Sequence, residues 1–407
     1  MLKYLRGPTS QCCKCCKSSR LATILWVCGV LLFLVIVGGF IRSKIPRKII
    51  CSNEASQAFL DELCHNYTVG VASGSLCEPL CTGKIVYREC LGHGVTPHVL
   101  KANFQGEEII LKVKIIMEKQ LELNPAHSLR FNREYFEKSA KLQYSKFILD
   151  DKTKVNKKVF DYVYSECANQ DGILPYQKMW YCQSLLGREF LLSILLKDTN
   201  SLPKIYGTCG NVFAVENTPD EKLEGSLIDG RSWSTRARLG LGLLDMIEKL
   251  DNTPYGTLYL CDIRFPNFGA VKVGSDYVVK PIDLDFTWLP AQMKQVMIGV
   301  SNKTCHTDEH CHYQACLSRC NYKTGYCEPD TYSNNLVSIC RMIFTTNAKV
   351  LKYGIFDKDL PVNFQSRLTI LLKKCSLPSV TPWPRTSPEL MKELRAVLRA
   401  SIHSNNL

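Results

Sequence analysis

The pattern of apolar and polar positions changes period several times along the chain, and each change marks an element. Between Arg20 and Arg42 lie 21 residues without a charge, LATILWVCGVLLFLVIVGGFI. At about 1.5 Å per residue such a helix reaches roughly 31 Å, the thickness of a hydrocarbon core. The apolar run is too long for a signal-peptide h-region, and GGFIRSK is a poor small-x-small cleavage site, so the pattern predicts a membrane anchor. From residue 98 the period falls to two. HVLKANFQGEEIILKVK reads as two strands joined by a turn at Gln105-Gly106. A polar, Lys-rich section, helical in character, follows to about Lys158, and helical periodicity strengthens from Leu185 to Leu196.

Two short strands with a turn between them then end in NVFAVENTPD. Beyond the DEKLEGSLIDGRS loop, Leu239, Leu243, Met246, Ile247 and Leu250 form one stripe of a 3.6-residue period, which stops at DNTP. LYLCDIRFPNFGAV and YVVKPIDLDF are apolar runs with polar residues at their edges. The C-terminus is helical again, with Ser387 as N-cap and Pro388 in the first turn of SPELMKELRAVLRASI. The stretch from Cys51 to Cys90 carries five cysteines and turn residues, and reads as a loop-like, disulfide-stapled subdomain.

Charge changes the picture only once it is located. The net charge is +13, but the first 48 residues hold nine Lys or Arg and no acid, leaving +4 for the rest. This is a basic membrane flank on a near-neutral body, not a nucleic-acid-binding surface. Five basic residues precede the predicted span and four follow it closely, so charge alone does not orient it. Cysteines do: 16 of the 21 lie after the span, a density suited to an oxidising compartment. The sequons Asn66-Tyr-Thr and Asn302-Lys-Thr lie on that side as well, whereas Asn217-Thr-Pro and Asn252-Thr-Pro are excluded by proline. The expected topology is therefore type II and single-pass, with a lumenal C-terminal body. In the short tail, Cys12, Cys13, Cys15 and Cys16 lie among lysines and suit S-palmitoylation. A metal site is the alternative, but ligands so close in sequence do not easily surround one ion, and unmodified thiols are the plain reading.

The chemistry lies in the order of elements. A strand-rich region with a lysine, then a helix with a glutamate, then a helical region with Asp-x-x-x-x-Asn and a later aspartate, is the order of parts in a protein kinase. Phosphoryl transfer needs a cation on the phosphates, acids that hold metal, and an acid that orients the nucleophile. EEIILK resembles the kinase V-A-I-K strand and nominates Lys112, with Glu189 in LLGREFLLSILL as its ion-pair partner. FAVEN resembles a hinge, with Glu216 at its polar end. LCDIRFPNF resembles the catalytic loop, with Asp262 as base, Arg264 where lysine is usual, and Asn267 on the second metal. KPIDLDF nominates Asp283 for magnesium, since a strand ending in VVKPI would deliver that residue; Asp285 in DFT is the rival. Taken singly each residue has a plain reading, a solvated lysine or a surface acid. Their joint order carries the signal.

The N-terminal anchor, CEPLCTGKIVYREC, LCDIRFPNF and the cluster Cys305, Cys311, Cys316, Cys320 and Cys327 together resemble the divergent protein kinase domain 1 family. That resemblance covers nearly everything after Cys51. It implies an endoplasmic reticulum membrane protein, with the Golgi as the other candidate compartment. It also implies an α+β, two-lobed, protein-kinase-like fold behind a disulfide-rich extension and one transmembrane helix. The expected organisation is a tail (1–20), a span (21–41), a Cys-rich subdomain (42–90), an N-lobe (91–220) and a C-lobe (221–407) with the 305–327 cluster. ATP with Mg or Mn would be the cofactor if the domain is active, and the acceptor, lumenal protein or glycan, is not named by the sequence.

Departures are equally visible. No G-x-G-x-x-G precedes Lys112, and CLGHG, with Gly92 and Gly94, is the nearest phosphate cover. Leu260-Cys261 replaces the His-Arg before the catalytic aspartate, and no A-P-E follows Asp283. A catalytically inactive scaffold therefore stands beside the kinase reading, with a disulfide-rich ectodomain as a third. CANQDGILPYQK resembles an EF-hand loop, but Cys167 at its first position and Lys178 at its twelfth replace the needed carboxylates, so no calcium binding is expected. The 305–327 cluster lacks a paired C-x-x-C, so disulfides are expected there rather than zinc.

Overall fold

The computed structural model describes residues 51–92, 99–114, 155–168, 181–182, 184–218, 230–345 and 354–403. The predicted span at 21–41, the tail cysteines, Gly94 and residues 169–178 of the EF-hand-like stretch lie outside the described residues. Among the described residues no helix is long and apolar enough to cross a membrane.

The first element corrects the sequence reading. Cys51 to Cys90 is not loop-like: Asn53–Thr68 forms a 16-residue helix, α1, capped by the Ser52 side chain, which accepts from the Ala55 amide at 3.1 Å. Ser56, Leu60 and Leu63, at i, i+4 and i+7, bury its inner stripe. The cysteines and turn residues had masked this period. A short helix, Cys77–Cys81 (α2), precedes strand β1, Ile85–Gly92.

β1, β2 (Val99–Phe104), β3 (Glu107–Val113), β4 (Ile205–Cys209) and β5 (Val212–Glu216) form one antiparallel sheet in the order β1-β2-β3-β5-β4. The expected Gln105-Gly106 turn joins β2 to β3, both residues having positive φ (54° and 85°), as a tight two-residue hairpin requires. The two faces of β3 have different partners. Ile109, Leu111 and Val113 pack with Leu60, Leu63 and Cys77 of the N-terminal helices. Ile110 turns the other way, onto Val159, Phe160 and Val163 of α3 (Val155–Ala168) and Phe190, Leu191 and Ile194 of α4 (Arg188–Leu195). Period two therefore puts Lys112 on the α4 side. α3 runs past the expected limit near Lys158, to Ala168.

The second core is helical. The predicted stripe lies on α5, Trp233–Asp251, where Leu239, Leu243, Met246, Ile247 and Leu250 are all buried. They pack with Leu368, Leu371 and Leu372 of α8 (Val362–Cys375) and Leu394, Val397 and Leu398 of α9 (Pro388–His403). Between α5 and those helices come β6 (Tyr259–Leu260), the hairpin β7 (Phe268–Val273) and β8 (Asp276–Pro281), β9 (Thr287–Trp288), α6 (Pro290–Ser301), a small ribbon of β10 (Cys320–Asn321) and β11 (Tyr326–Cys327), and α7 (Asn335–Ile339). The architecture is α+β, a sheet-based part followed by a helical part.

All sixteen cysteines after the predicted span are paired: 51–90, 64–81, 77–209, 167–182, 261–316, 305–320, 311–327 and 340–375. The sulfurs of Cys305, Cys311 and Cys320 come within 4.8 Å of one another, but each is spent in a disulfide and offers no thiolate to zinc. Cys167, at the first position of the EF-hand-like stretch, is likewise bonded to Cys182.

Candidate active site

Lys112 pairs in register with Val99 and Phe213 near the end of β3 and reaches across to α4. Its Nζ donates to Glu189 Oε1 and to the Ile282 carbonyl, the latter at 2.5 Å. Glu189 lies in the first turn of α4, where the helix dipole favours a carboxylate, and the residue is 5 % exposed. Burial would raise its pKa, but Lys112 and Lys114 outweigh that and hold it below the ordinary carboxylate value.

The acid-bearing segments are brought together by strand pairing. Tyr259 pairs with Trp288 and Leu260 with Thr287, so β6 and β9 run side by side, with Asp262 just beyond one and Asp283 and Asp285 just before the other. Asn267 ends a single turn, Phe265–Asn267, and its carbonyl accepts from the Ile282 amide at 2.8 Å. Its Nδ2 donates to the Asp262 carbonyl at 2.9 Å, which leaves Oδ1 as its acceptor for other partners. Asp262, Asn267 and Asp283 line one small depression with Leu260, Phe268, Pro281 and Thr287. Burial raises the Asp283 pKa; the Asp285 amide, 3.1 Å from its Oδ1, opposes this, and the Glu189 and Asp285 charges add to it. Arg264 forms an ion pair with the Asp262 carboxylate.

The two candidates of KPIDLDF go to different places. Asp283 lines the depression with Asp262 and Asn267. Asp285 instead faces Lys114, whose Nζ is 3.5 Å from its carboxylate, and its carbonyl accepts from Arg188. Glu216, at the end of β5, spends its carboxylate on Lys280 Nζ at 2.6 Å and on the Lys204 amide at 3.0 Å. Next to it the chain presses close to β7, since a Cβ on Gly269 would lie 1.9 Å from Thr218 Oγ1. Gly92 ends β1, and an added Cβ there would meet nothing within 4 Å.

Chain order gave no role to Lys114, Arg188 or the Cys261–Cys316 bond. Lys114 is the second cation on Glu189, at 2.9 Å from Oε2. Period two would have placed it on the face of Lys112. Arg188 stacks its guanidinium 3.5 Å from the Trp288 ring centre. Cys261, beside Asp262, is disulfide-bonded to Cys316, its amide donates to the Phe286 carbonyl at 3.0 Å, and its carbonyl accepts from the Ala315 amide at 2.7 Å. A covalent tie thus anchors the loop where a kinase has His-Arg, a partner that spacing alone does not supply.

A lysine–glutamate pair between sheet and helix, facing an Asp-Asn-Asp depression, is the arrangement of a protein-kinase-like domain. Two family models match the chain: "Protein-kinase domain of FAM69" over residues 181–378 and "N-term cysteine-rich ER, FAM69" over residues 16–149. The chain belongs to the FAM69 family. This is the divergent, cysteine-rich kinase family that the motifs resembled, and the match gives it a kinase-like domain and a cysteine-rich N-terminal region associated with the endoplasmic reticulum. The kinase-domain match begins beyond β3, so it contains Glu189, Asp262, Asn267 and Asp283 but not Lys112, which falls in the N-terminal match.

Proposed function

We propose that this FAM69 domain is a lumenal phosphotransferase that moves the γ-phosphoryl group of ATP to an acceptor in the secretory pathway. The observation that carries the reading is the convergence of Lys112, Glu189, Asp262, Asn267 and Asp283 from separate segments. The donor set fits a hard divalent cation: a carboxylate on Asp283 and an amide oxygen on Asn267, with burial first, and the Glu189 and Asp285 charges after it, disfavouring an ionised Asp283 that has no cation. Asp283 and Asn267 would hold Mg or Mn, and Lys112 would meet the phosphates.

Bound Mg-ATP supplies the transferable phosphoryl group and neutralises charge as it moves. The chain's own contribution is positioning. Glu189 fixes Lys112 beside the Ile282 carbonyl, one residue before Asp283. Asn267 fixes the Asp262 backbone, and the Asp262 carboxylate accepts the proton of an acceptor hydroxyl after exchanging Arg264, whose side chain is 56 % exposed, for that acceptor. A span at 21–41 would make the domain dependent on nucleotide delivered to the lumen.

A second reading, an inactive scaffold, is favoured by the same Arg264–Asp262 pair, which occupies the base. Turnover separates the two. The full chain with Mg or Mn should hydrolyse or transfer ATP, and Asp283→Ala should abolish it. Equal turnover in that variant removes Asp283 from its role, and no turnover in either leaves the scaffold.

A further inference from the structure

Glu189 is a buried carboxylate with two lysines, one on each oxygen. Lys112 Nζ lies between Glu189 and the carbonyl that precedes Asp283. Lys114 Nζ lies between Glu189 and Asp285. Both side chains are largely buried, at 12 % and 13 % exposed. Burial alone would lower the Lys114 pKa, yet the carboxylates of Glu189 and Asp285, with a smaller contribution from Asp283, outweigh it and hold Lys114 charged. Its backbone is fixed as well, its amide donating to the Asn211 carbonyl and its own carbonyl accepting from Asn211 Nδ2, both at 2.9 Å. Asp285 is in turn fastened to the start of α4, because Arg188 donates to its carbonyl and stacks on Trp288 three residues later.

A lysine ammonium has three donors and can serve the helix glutamate and the nucleotide together, but its charge is then shared between them. Glu189, still buried, keeps only part of that compensation, and a buried carboxylate without a partner is strongly disfavoured. We propose that Lys114 is a positioning residue that supplies the remainder: it holds Glu189, and through Asp285 the start of α4, while Lys112 stays on Glu189 and meets the nucleotide. The inference rests on the phosphotransferase reading for what Lys112 does, but its first half concerns α4 alone. The helix is then kept in place by Lys114, Arg188 and the 285–288 segment.

The test uses the full chain as wild type, Lys112→Met, Lys114→Met and Lys114→Arg, read by hydrogen exchange over residues 188–195 and by Mg-ATP affinity. Lys112→Met should leave exchange of α4 within about two-fold of wild type, because Lys114 still compensates Glu189, and should abolish Mg-ATP binding. Lys114→Met should speed that exchange and weaken Mg-ATP each by about ten-fold or more, and Lys114→Arg should restore both in large part. The proposal is overturned if Lys112→Met loosens α4 as much as Lys114→Met does. It is also overturned if Lys114→Met leaves α4 unchanged, or abolishes binding with α4 intact, which would make Lys114 the phosphate contact. Should Lys114→Met fail to fold, Lys114→Met with Glu189→Gln should fold, since a neutral amide does not need the second cation; failure of that double variant also overturns it. A wild-type chain that binds no Mg-ATP ends the phosphotransferase reading, while the exchange results still decide the role of Lys114.

Discussion

Replacing Cys261 and Cys316 together by alanine tests how the acid-bearing loop is anchored. The bond closes a separation of 55 residues, and both sulfurs are buried. The chain-entropy relation for a loop of that length gives about 4 kcal/mol of stabilisation through the unfolded state. The neighbouring 305–320 bond slightly shortens the effective path in the unfolded chain, but the dependence is logarithmic and the figure barely moves. Alanine avoids leaving a buried hydroxyl without a partner. The loop keeps the two backbone hydrogen bonds of residue 261, to Phe286 and Ala315, so the Asp262 backbone should hold its place in the folded state. Urea unfolding of the full chain under non-reducing conditions, followed by fluorescence, should show a loss of about 4 kcal/mol, within the usual 2–5 for a native bond. Mg-ATP affinity of the folded variant should change little. A loss under about 0.5 kcal/mol would refute the entropic account, and intact stability with lost nucleotide binding would show that the bond shapes the site rather than the unfolded chain.

Other outcomes follow from single contacts. The depressed Glu189 pKa contributes stability that is present above its unfolded value of 4.5 and lost as pH falls through the lower folded value; Glu189→Gln should therefore be less stable than wild type at neutral pH, and the two stability curves should converge in acid. The raised Lys114 pKa works in the opposite direction: its contribution is full below 10.5 and lost as pH rises past the folded value, so Lys114→Met should approach wild type only at strongly alkaline pH. Gly269→Ala would set a Cβ 1.9 Å from Thr218 Oγ1, and overpacking of this kind costs about 1–3 kcal/mol, measurable as a lower urea midpoint. Asn302 caps the exposed end of α6, whereas Asn66 is half-buried within α1; a glycosidase gel shift should be lost mainly with Asn302→Gln, and an unchanged shift in that variant would contradict this.

The sheet hairpin, the α5 stripe and the capped C-terminal helix were legible because each keeps one period over its whole length. α1 was hidden because its inner stripe includes Ser56 and its sequence is crowded with polar residues and a cysteine, so local composition pointed to loop. In the site, order along the chain nominated Lys112, Glu189, Asp262, Asn267 and Asp283, and the structure brings these together from segments far apart. Arg188, Lys114 and the 261–316 bond were not nominated. A kinase template has no place for them, and disulfide pairing is a property of the folded chain rather than of cysteine spacing. The sequence favours Asp283 over Asp285 because the VVKPI strand ends just before it; that Asp285 faces Lys114 instead depends on tertiary contacts that no window of sequence contains.

The central claim is that Lys112, Asp283 and Asn267 form a metal-nucleotide site, and direct binding tests it without knowledge of the acceptor. Thermal unfolding of the full chain should be measured with ATP in the presence and absence of magnesium, alongside Asp283→Ala. At a hundred times the dissociation constant a ligand stabilises the folded state by about 2.7 kcal/mol, enough for an upward shift of several degrees. That shift is expected with Mg-ATP in the wild type, a much smaller one without magnesium, and none in Asp283→Ala. A magnesium-independent shift that survives Asp283→Ala, or no shift under any condition, would contradict it.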